Sequence, residues 1–138
     1  MALWATMRLL PLERGGEFAR RLSASRAAAL ALHAKLAADA RFLPAFAPEL
    51  DIVVWAVRAR RVSEASALAR QVFDEAARRG LHLALAELPV QFFDLAGARV
   101  ECDRETVTCL RSVLMKPEHR EWLDRIWEIL DAAAGGRA

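Results

Sequence analysis

The residues from Ile52 to Val57 (IVVWAV) form a short, nearly continuous apolar run of β-branched residues and a tryptophan. A run without polar alternation predicts a strand that is covered on both faces. A helix is predicted directly after it, from Ser63 as the N-cap to Arg79, because its apolar positions follow 3.6-residue spacing and Gly80 stands where a C-terminal cap belongs. This segment therefore favours a fold in which helices pack on a sheet.

The rest of the chain continues this mixture of helices and strands. Two helices are predicted before the first strand, and a proline-containing connector follows them. The predicted order is α, α, β, α, β, β, β, α, which is a small α/β (α+β) fold with helices on a mostly antiparallel sheet. The predicted elements are helices at Ala2–Leu12 and Glu17–Ala38, strands at Leu81–Leu88 and Thr106–Met115, a hairpin around Gly97 with a short strand between Phe92 and Cys102, and a last helix opened by Pro117 and ended by Gly135.

Helical spacing of apolar residues also predicts which faces are buried. The first helix carries an apolar stripe that is large for a chain terminus, so it must be covered either by this domain or by another body. The predicted buried positions are Trp4, Met7 and Leu10 on the first helix, Phe18, Leu22, Ala29, Leu32 and Leu36 on the second, and Trp122, Leu123, Ile126, Trp127 and Leu130 on the last.

The composition limits the class of protein. A chain of 138 residues with 55% hydrophobic and 28% charged residues is expected to form one compact globular domain. Its net charge of +2 is too small to indicate a nucleic acid or a membrane surface as partner. The sequence lacks a secretory leader and a long apolar run, and Cys102 and Cys109 are expected to be reduced thiols, so the expected location is cytoplasmic.

Arg111 is the candidate functional residue that physical reasoning selects. It lies in the middle of the strand Thr106–Met115, and alternation places it on the same face as Val107 and Cys109. A guanidinium on an apolar sheet face needs a partner, because removing its charge from water is costly. Its partner is either a nearby carboxylate, such as Glu87 or Glu105, or the anion of a ligand, since the planar guanidinium suits a carboxylate.

Other reactive residues form no recognisable motif. The histidines His33, His82 and His119 are widely spaced and lack metal-ligand spacing, so no metal site is predicted. The chain has no glycine-rich phosphate loop after a strand and no nucleophile motif. The basic cluster Arg58–Arg61 is interpreted as a solvated turn, and Asp51 and Asp103 as turn residues.

Three stretches, taken in order, resemble one family. They are Pro48–Val57 (PELDIVVWAV), Ser66–Leu85 (SALARQVFDEAARRGLHLAL) and Thr106–His119 (TVTCLRSVLMKPEH), followed by a helix with Trp127. Together they resemble the C-terminal domain of group II pyridoxal-phosphate (PLP) decarboxylases, which act on glutamate, aromatic amino acids or diaminobutyrate. The segment LWATMRLLPLERGGEF is similar to the part that leaves the large domain, so the resemblance covers nearly the whole chain.

The resemblance implies the small C-terminal domain of a fold-type I PLP enzyme, with residues 1–45 as a helical segment from the end of the large domain and residues 46–138 as the small domain. It implies that Arg111 binds the α-carboxylate of the substrate. The chain differs from the family at Ala56, a position where members often carry an arginine.

The resemblance also implies what this chain does not supply. In the family a histidine precedes the Schiff-base lysine, and neither Lys35 nor Lys116 has that context. PLP is therefore expected in the complete enzyme but not on this chain alone, no catalytic or cofactor-binding residue is assigned to the chain, and the chain alone is expected to be inactive. The expected partners are a missing or separately encoded PLP-binding large domain and further copies of the chain in a homo-oligomer such as a dimer.

Two alternatives remain at this stage. The chain could be a non-catalytic binding or regulatory module, standing alone or paired with a separate PLP domain, or an unrelated ferredoxin-like ligand sensor. The apolar stripe of the first helix distinguishes a self-sufficient domain from a part of a larger one. If Trp4, Met7 and Leu10 pack internally, the domain is self-sufficient, whereas an exposed stripe indicates a missing partner.

Overall fold

The computed structural model describes residues 2–135. The chain forms five α-helices and four strands within that range, joined in places by single turns of 3₁₀-helix. The helices are α1 (Ala2–Leu9), α2 (Glu17–Ala38), α3 (Val62–Arg78), α4 (Leu95–Ala98) and α5 (Leu123–Ala134), and the strands are β1 (Phe42–Pro44), β2 (Ile52–Val57), β3 (Ala84–Pro89) and β4 (Thr106–Val113).

The four strands form one sheet in the order β1-β2-β4-β3, and every neighbouring pair is antiparallel. The longest strand, β4, lies inside the sheet, with Arg111 opposite Val54 of β2 and opposite Ala84 of β3. The predicted fold class, a small antiparallel sheet with helices packed on it, is confirmed.

One side of the sheet, which we call the helix-covered face, holds the main core. Trp55 and Leu110 lie opposite each other on this face and are fully buried. They pack with residues of α2, α3 and α5, among them Leu32, Val72 and Leu130. The apolar surface removed from water in this layer is the main stabilising contribution to the fold.

The other side of the sheet, which we call the open face, carries Val54, Cys109 and Arg111. Phe93 and its neighbours cover much of it and bury Val54, Ala56, Val107 and Cys109, whereas Arg111 remains exposed. Strand alternation thus places consecutive residues of β4 in a deep core and on a partly exposed surface.

Two strand predictions need correction. The region from Phe92 to Cys102 contains no strand but a short helix, α4, because the Asp94 carboxylate accepts the backbone N–H of Gly97 at 2.9 Å and caps a helical turn. A Cβ at Gly97 would lie 2.2 Å from Asp94 Oδ2, so a side chain at this position would displace the capping carboxylate. Conversely, the connector after α2 contains β1, which is only three residues long and ends at Pro44 on the edge of the sheet.

The ends of α3 confirm one predicted cap and correct the other. Gly80 has φ +85° and follows the last turn, where the N–H of Leu81 donates to Ala76 O as in a glycine-terminated helix. Ser63 is not the N-cap, since α3 begins at Val62. Instead the carboxylate of Asp103 accepts the backbone N–H and the hydroxyl of Ser63, at 3.0 and 2.5 Å, and those contacts lower the pKa of Asp103.

Several aromatic and aliphatic side chains that were predicted to be buried are exposed. Trp4 is 64% and Met7 45% exposed on α1, while Leu10 is half-buried. On α2 the predicted positions Ala29, Leu32 and Leu36 are buried, but Phe18 and Leu22 are exposed. Trp122, predicted to lie in the core, precedes α5 and is 57% exposed. The apolar surface of α1 and the first half of α2 is therefore uncovered by the described chain.

Among the described residues, no helix combines the length and apolar character needed to cross a membrane.

Candidate functional site

Arg111 occupies the centre of the open face. Its strand β4 has a neighbour on each side, and its side chain is exposed although the preceding residue, Leu110, is fully buried. Leu110 points to the helix-covered face, whereas Arg111 points to the open face and is not among the residues that Phe93 and its neighbours cover. The guanidinium is thus presented to solvent from the middle of a rigid sheet, which fixes its base.

Within residues 2–135, Arg111 forms no hydrogen bond or ion pair through its guanidinium. The alternative that it pairs with Glu87 is wrong, because Glu87 lies opposite Thr108 and so points to the helix-covered face. There Glu87 approaches Arg70 at 4.0 Å. Glu105 makes no ion pair with Arg111 either, so the charge of Arg111 is left for an external partner.

The surroundings of Arg111 on the open face are apolar. The cross-strand pair Ile52 and Val113 forms the next row of the sheet, and these side chains are 43% and 37% exposed. Toward β1, the exposed rings of Phe46 and Phe92 meet edge to face with centroids 6.0 Å apart. An exposed arginine within an exposed apolar surface can bind an anion that also carries apolar groups.

Arg41 provides the contrast to Arg111. Its guanidinium contacts the carboxylates of Asp39 at 2.6 Å and Asp131 at 2.5 Å, and joins the end of α2 to α5. Hydrogen bonding to these carboxylates raises the pKa of Arg41, and the same contact lowers the pKa of Asp39. Arg41 is thus a structural arginine with two internal partners, whereas Arg111 has none in the described chain.

The lysines of the chain do not fit a Schiff-base site. Lys35 is half-buried on α2, where its amine lies 3.1 Å from Asp124 and 5.8 Å from the ring centre of Trp127. Lys116 is exposed just before the 3₁₀ turn at Pro117. Lys35 is thus paired with a carboxylate and Lys116 is open to solvent, so neither amine is enclosed in a pocket.

The remaining reactive groups give no second site. In the described chain, no three histidines, cysteines or carboxylates are placed to hold a metal ion. The thiol of Cys109 is buried on the open face beneath the segment of Phe93, and burial raises its pKa to about 11. Cys102 is exposed.

A polar cleft of about 540 Å³, which no sequence pattern predicted, lies between α3 and the beginning of β4. Its internal contacts join residues far apart in the chain, since Ser66 Oγ accepts the N–H of Thr108 at 3.0 Å and Arg70 donates to Thr108 Oγ1 at 3.2 Å. These groups bind one another and hold α3 on the sheet. The cleft lies on the side of the sheet opposite to Arg111.

Comparison with known proteins gives one kind of likeness. No protein-family model matches the chain, and no curated protein matches it. Solved structures do match, among them a crystal structure of Oryza sativa TDC with PLP and tryptamine, a plant PLP-dependent decarboxylase. The TM-score is 0.70 and the identity 15%, and the match covers 96% of this chain.

The match covers only 26% of the rice protein, so the chain spans about a quarter of that protein's length. At this identity the likeness establishes the fold: the chain is folded like a part of a PLP-dependent decarboxylase.

Proposed function

We propose that this chain is the C-terminal part of a PLP-dependent amino-acid decarboxylase, in which Arg111 binds the α-carboxylate of the substrate. The PLP-binding lysine belongs to a separate large body, and residues 1–45 lead from that body into the small domain. On this proposal the chain alone does not decarboxylate amino acids, because the cofactor supplies the electron sink of this reaction and its lysine lies on the large body.

The observation that carries the proposal is the state of Arg111. Arg111 lies at the centre of the sheet, is exposed and has no partner in the described chain, so its guanidinium is available to an external anion. The planar guanidinium can donate two parallel hydrogen bonds to one carboxylate, and its position on a rigid strand limits its motion. These properties suit a substrate-carboxylate clamp.

The exposed apolar surface of α1 and α2 supports a missing large body. Trp4, Met7, Phe18 and Leu22 lie on helices whose outer surface is uncovered in the described chain. The structural match extends over nearly all of this chain but a quarter of the rice protein, so the same fold is there joined to a body about three times larger. We assign this surface to contact with such a body.

The cofactor part of the proposal is tested with an absorbance scan of the 138-residue chain titrated with PLP. We expect only weak, substoichiometric imine absorbance from surface amines. A Lys35→Arg/Lys116→Arg double variant, which removes every lysine, is the control. A stoichiometric internal-aldimine band that the double variant loses would contradict the proposal, because the chain would then hold its own cofactor.

The partner is tested with the coding sequence around this chain. The proposal expects a PLP-binding domain with a histidine–lysine pair upstream in the same frame or in an adjacent gene. If the chain is encoded far from any such domain, and PLP-binding proteins of the source cell do not associate with it, the alternative of a stand-alone binding module is favoured.

A further inference from the structure

The strand β3 forms a free edge of the sheet. It has β4 on one side and, among residues 2–135, no strand on the other. Its six residues, Ala84–Pro89, are all half-buried or exposed. The pairing of β3 with β4 runs through the whole strand without a bulge, so the backbone is regular up to its end. A regular free edge presents backbone donors and acceptors that another strand can bind.

The hydrogen bonds of β3 define which of its backbone groups face outward. The N–H of Val90 donates to Glu105 O at 3.0 Å, and this pair continues the register of β3 with β4. Because bonded and non-bonded pairs alternate in an antiparallel ladder, the odd-numbered residues of β3 direct their backbone groups outward. These residues are Leu85, Glu87 and Pro89. Within residues 2–135 the N–H groups of Leu85 and Glu87 have no hydrogen-bond partner.

We propose that this edge binds a second copy of the chain, strand antiparallel to strand, about a two-fold axis at Ala86. Leu85 then lies opposite Glu87 of the second copy, and symmetry forms the same pair a second time. Each pair exchanges two N–H···O bonds, so every outward N–H of the strand is satisfied. The interface is independent of the role proposed for Arg111, and it would give the expected homo-oligomer a defined contact.

A second copy suits this edge because the side chains of β3 complement themselves. On the open face, Ala86 meets Ala86 of the second copy and Leu88 meets Ala84. The row is thus aliphatic throughout, and its large residues oppose small ones, which favours cross-strand packing. On the other face the charged Glu87 lies opposite an apolar residue and not opposite a like charge.

Neighbouring registers fit less well. An axis at Glu87 would set two carboxylates directly opposite each other and would need an N–H that Pro89 lacks. An axis at Leu85 would pair Glu87 with Leu83, which lies before the strand begins. The surface assigned to the large body does not compete for this edge, because α2 packs on β1 and β2 at the other side of the sheet.

The register is tested by exchanging charge at Leu85, whose side chain is 37% exposed. Leu85→Lys places an ammonium opposite each Glu87 and should tighten self-association about three- to tenfold. Leu85→Glu places like charges opposite each other and should weaken self-association by a similar factor. Sedimentation equilibrium of the full chain at pH 7, across the micromolar range, measures the dissociation constants.

Matched controls carry the same changes in net charge away from the edge. Leu50 is 55% exposed and precedes β2, which β4 separates from β3. Leu50→Lys and Leu50→Glu should leave the dissociation constant within about twofold of the wild-type value.

Hydrogen exchange of the wild type tests the edge without a substitution. The amides of Leu85 and Glu87 should exchange at least roughly tenfold more slowly in the concentrated than in the dilute chain. The amides of Ala86 and Leu88 face β4 and should be protected at both concentrations.

Three results would overturn the proposal. The first is a chain that stays monomeric throughout the concentration range. The second is self-association that Leu85→Lys and Leu85→Glu change in the same direction, because position 85 would then not lie opposite Glu87. The third is self-association that leaves the amides of Leu85 and Glu87 unprotected, because another surface would then form the contact. None of these results bears on the carboxylate role of Arg111.

Discussion

The two faces of the sheet differ in what they require of the sequence. On the helix-covered face, Trp55 and Leu110 are fully buried and pack against three helices. On the open face, Arg111 is the residue that follows Leu110, yet it is exposed and without a partner in the described chain. The alternation of one strand thus separates residues that stabilise the fold from a residue available for recognition.

The largest effect is expected on the helix-covered face. Trp55→Ala should lower the free energy of unfolding by about 3–5 kcal/mol, because it leaves a cavity in the centre of the core. Trp122→Ala is the matched control, since Trp122 is 57% exposed. It should cost less than about 1 kcal/mol. Denaturant titration of both variants measures the difference, and equal losses would contradict the assignment of the core.

A smaller effect is expected at the covered end of the open face. Phe93→Ala should cost about 3 kcal/mol, because Phe93 is 6% exposed and packs on the sheet beside Cys109. Phe92→Ala, at the adjacent residue, should cost less than about 1 kcal/mol because Phe92 is 44% exposed. Phe93→Ala should also make the Cys109 thiol accessible to a thiol reagent in the native state. If the thiol stays protected, another segment covers it.

Removing the structural arginine should have a modest effect. Arg41→Ala should cost about 1 kcal/mol at pH 7, since its ion pairs are partly exposed to water. Arg125 is an exposed residue of α5 that makes no ion pair within residues 2–135, and the control Arg125→Ala should cost about 0.5 kcal/mol or less.

The same pair predicts a dependence on pH. Arg41 lowers the pKa of Asp39 below its ordinary value of 3.8, so the folded state binds fewer protons than the unfolded state in that range. The ion pair between Arg41 and Asp39 therefore contributes fully to the free energy of unfolding above pH 3.8. This contribution is lost as the pH falls through the lower pKa that Asp39 has in the folded state. The difference between wild type and Arg41→Ala should shrink on acidification below about pH 4. A difference that grows would contradict the assigned pairing.

Much of the fold could be predicted from periodicity. The bounds of α2 and β2 agree with the structure, and Gly80 ends α3, because these elements follow from apolar spacing and from local backbone chemistry. The strand β1 was missed because three residues carry no period, and its place in the sheet depends on pairing with β2. The helical turn at Gly97 was mistaken for a hairpin, since the capping role of Asp94 was not recognised.

The site could be predicted only in part. Alternation placed Arg111 on the face of Cys109, and the structure agrees. Periodicity within one strand does not determine its register with the neighbouring strand. The register of β3 and β4 places Glu87 opposite Thr108, on the face of the sheet away from Arg111. The helix cap from Asp103 was missed for a similar reason, because its partner Ser63 lies 40 residues away. Exposure of Trp122 depends on which helices pack together, which spacing alone does not determine.

The most direct test of the account compares the stability of Arg111→Ala with that of the wild type. If Arg111 is kept for a ligand and has no structural partner, the free energy of unfolding should change by no more than about 0.5 kcal/mol in denaturant titration. A loss of stability of about 2 kcal/mol or more would contradict the account, because it would reveal an internal partner whose removal leaves a buried group unpaired.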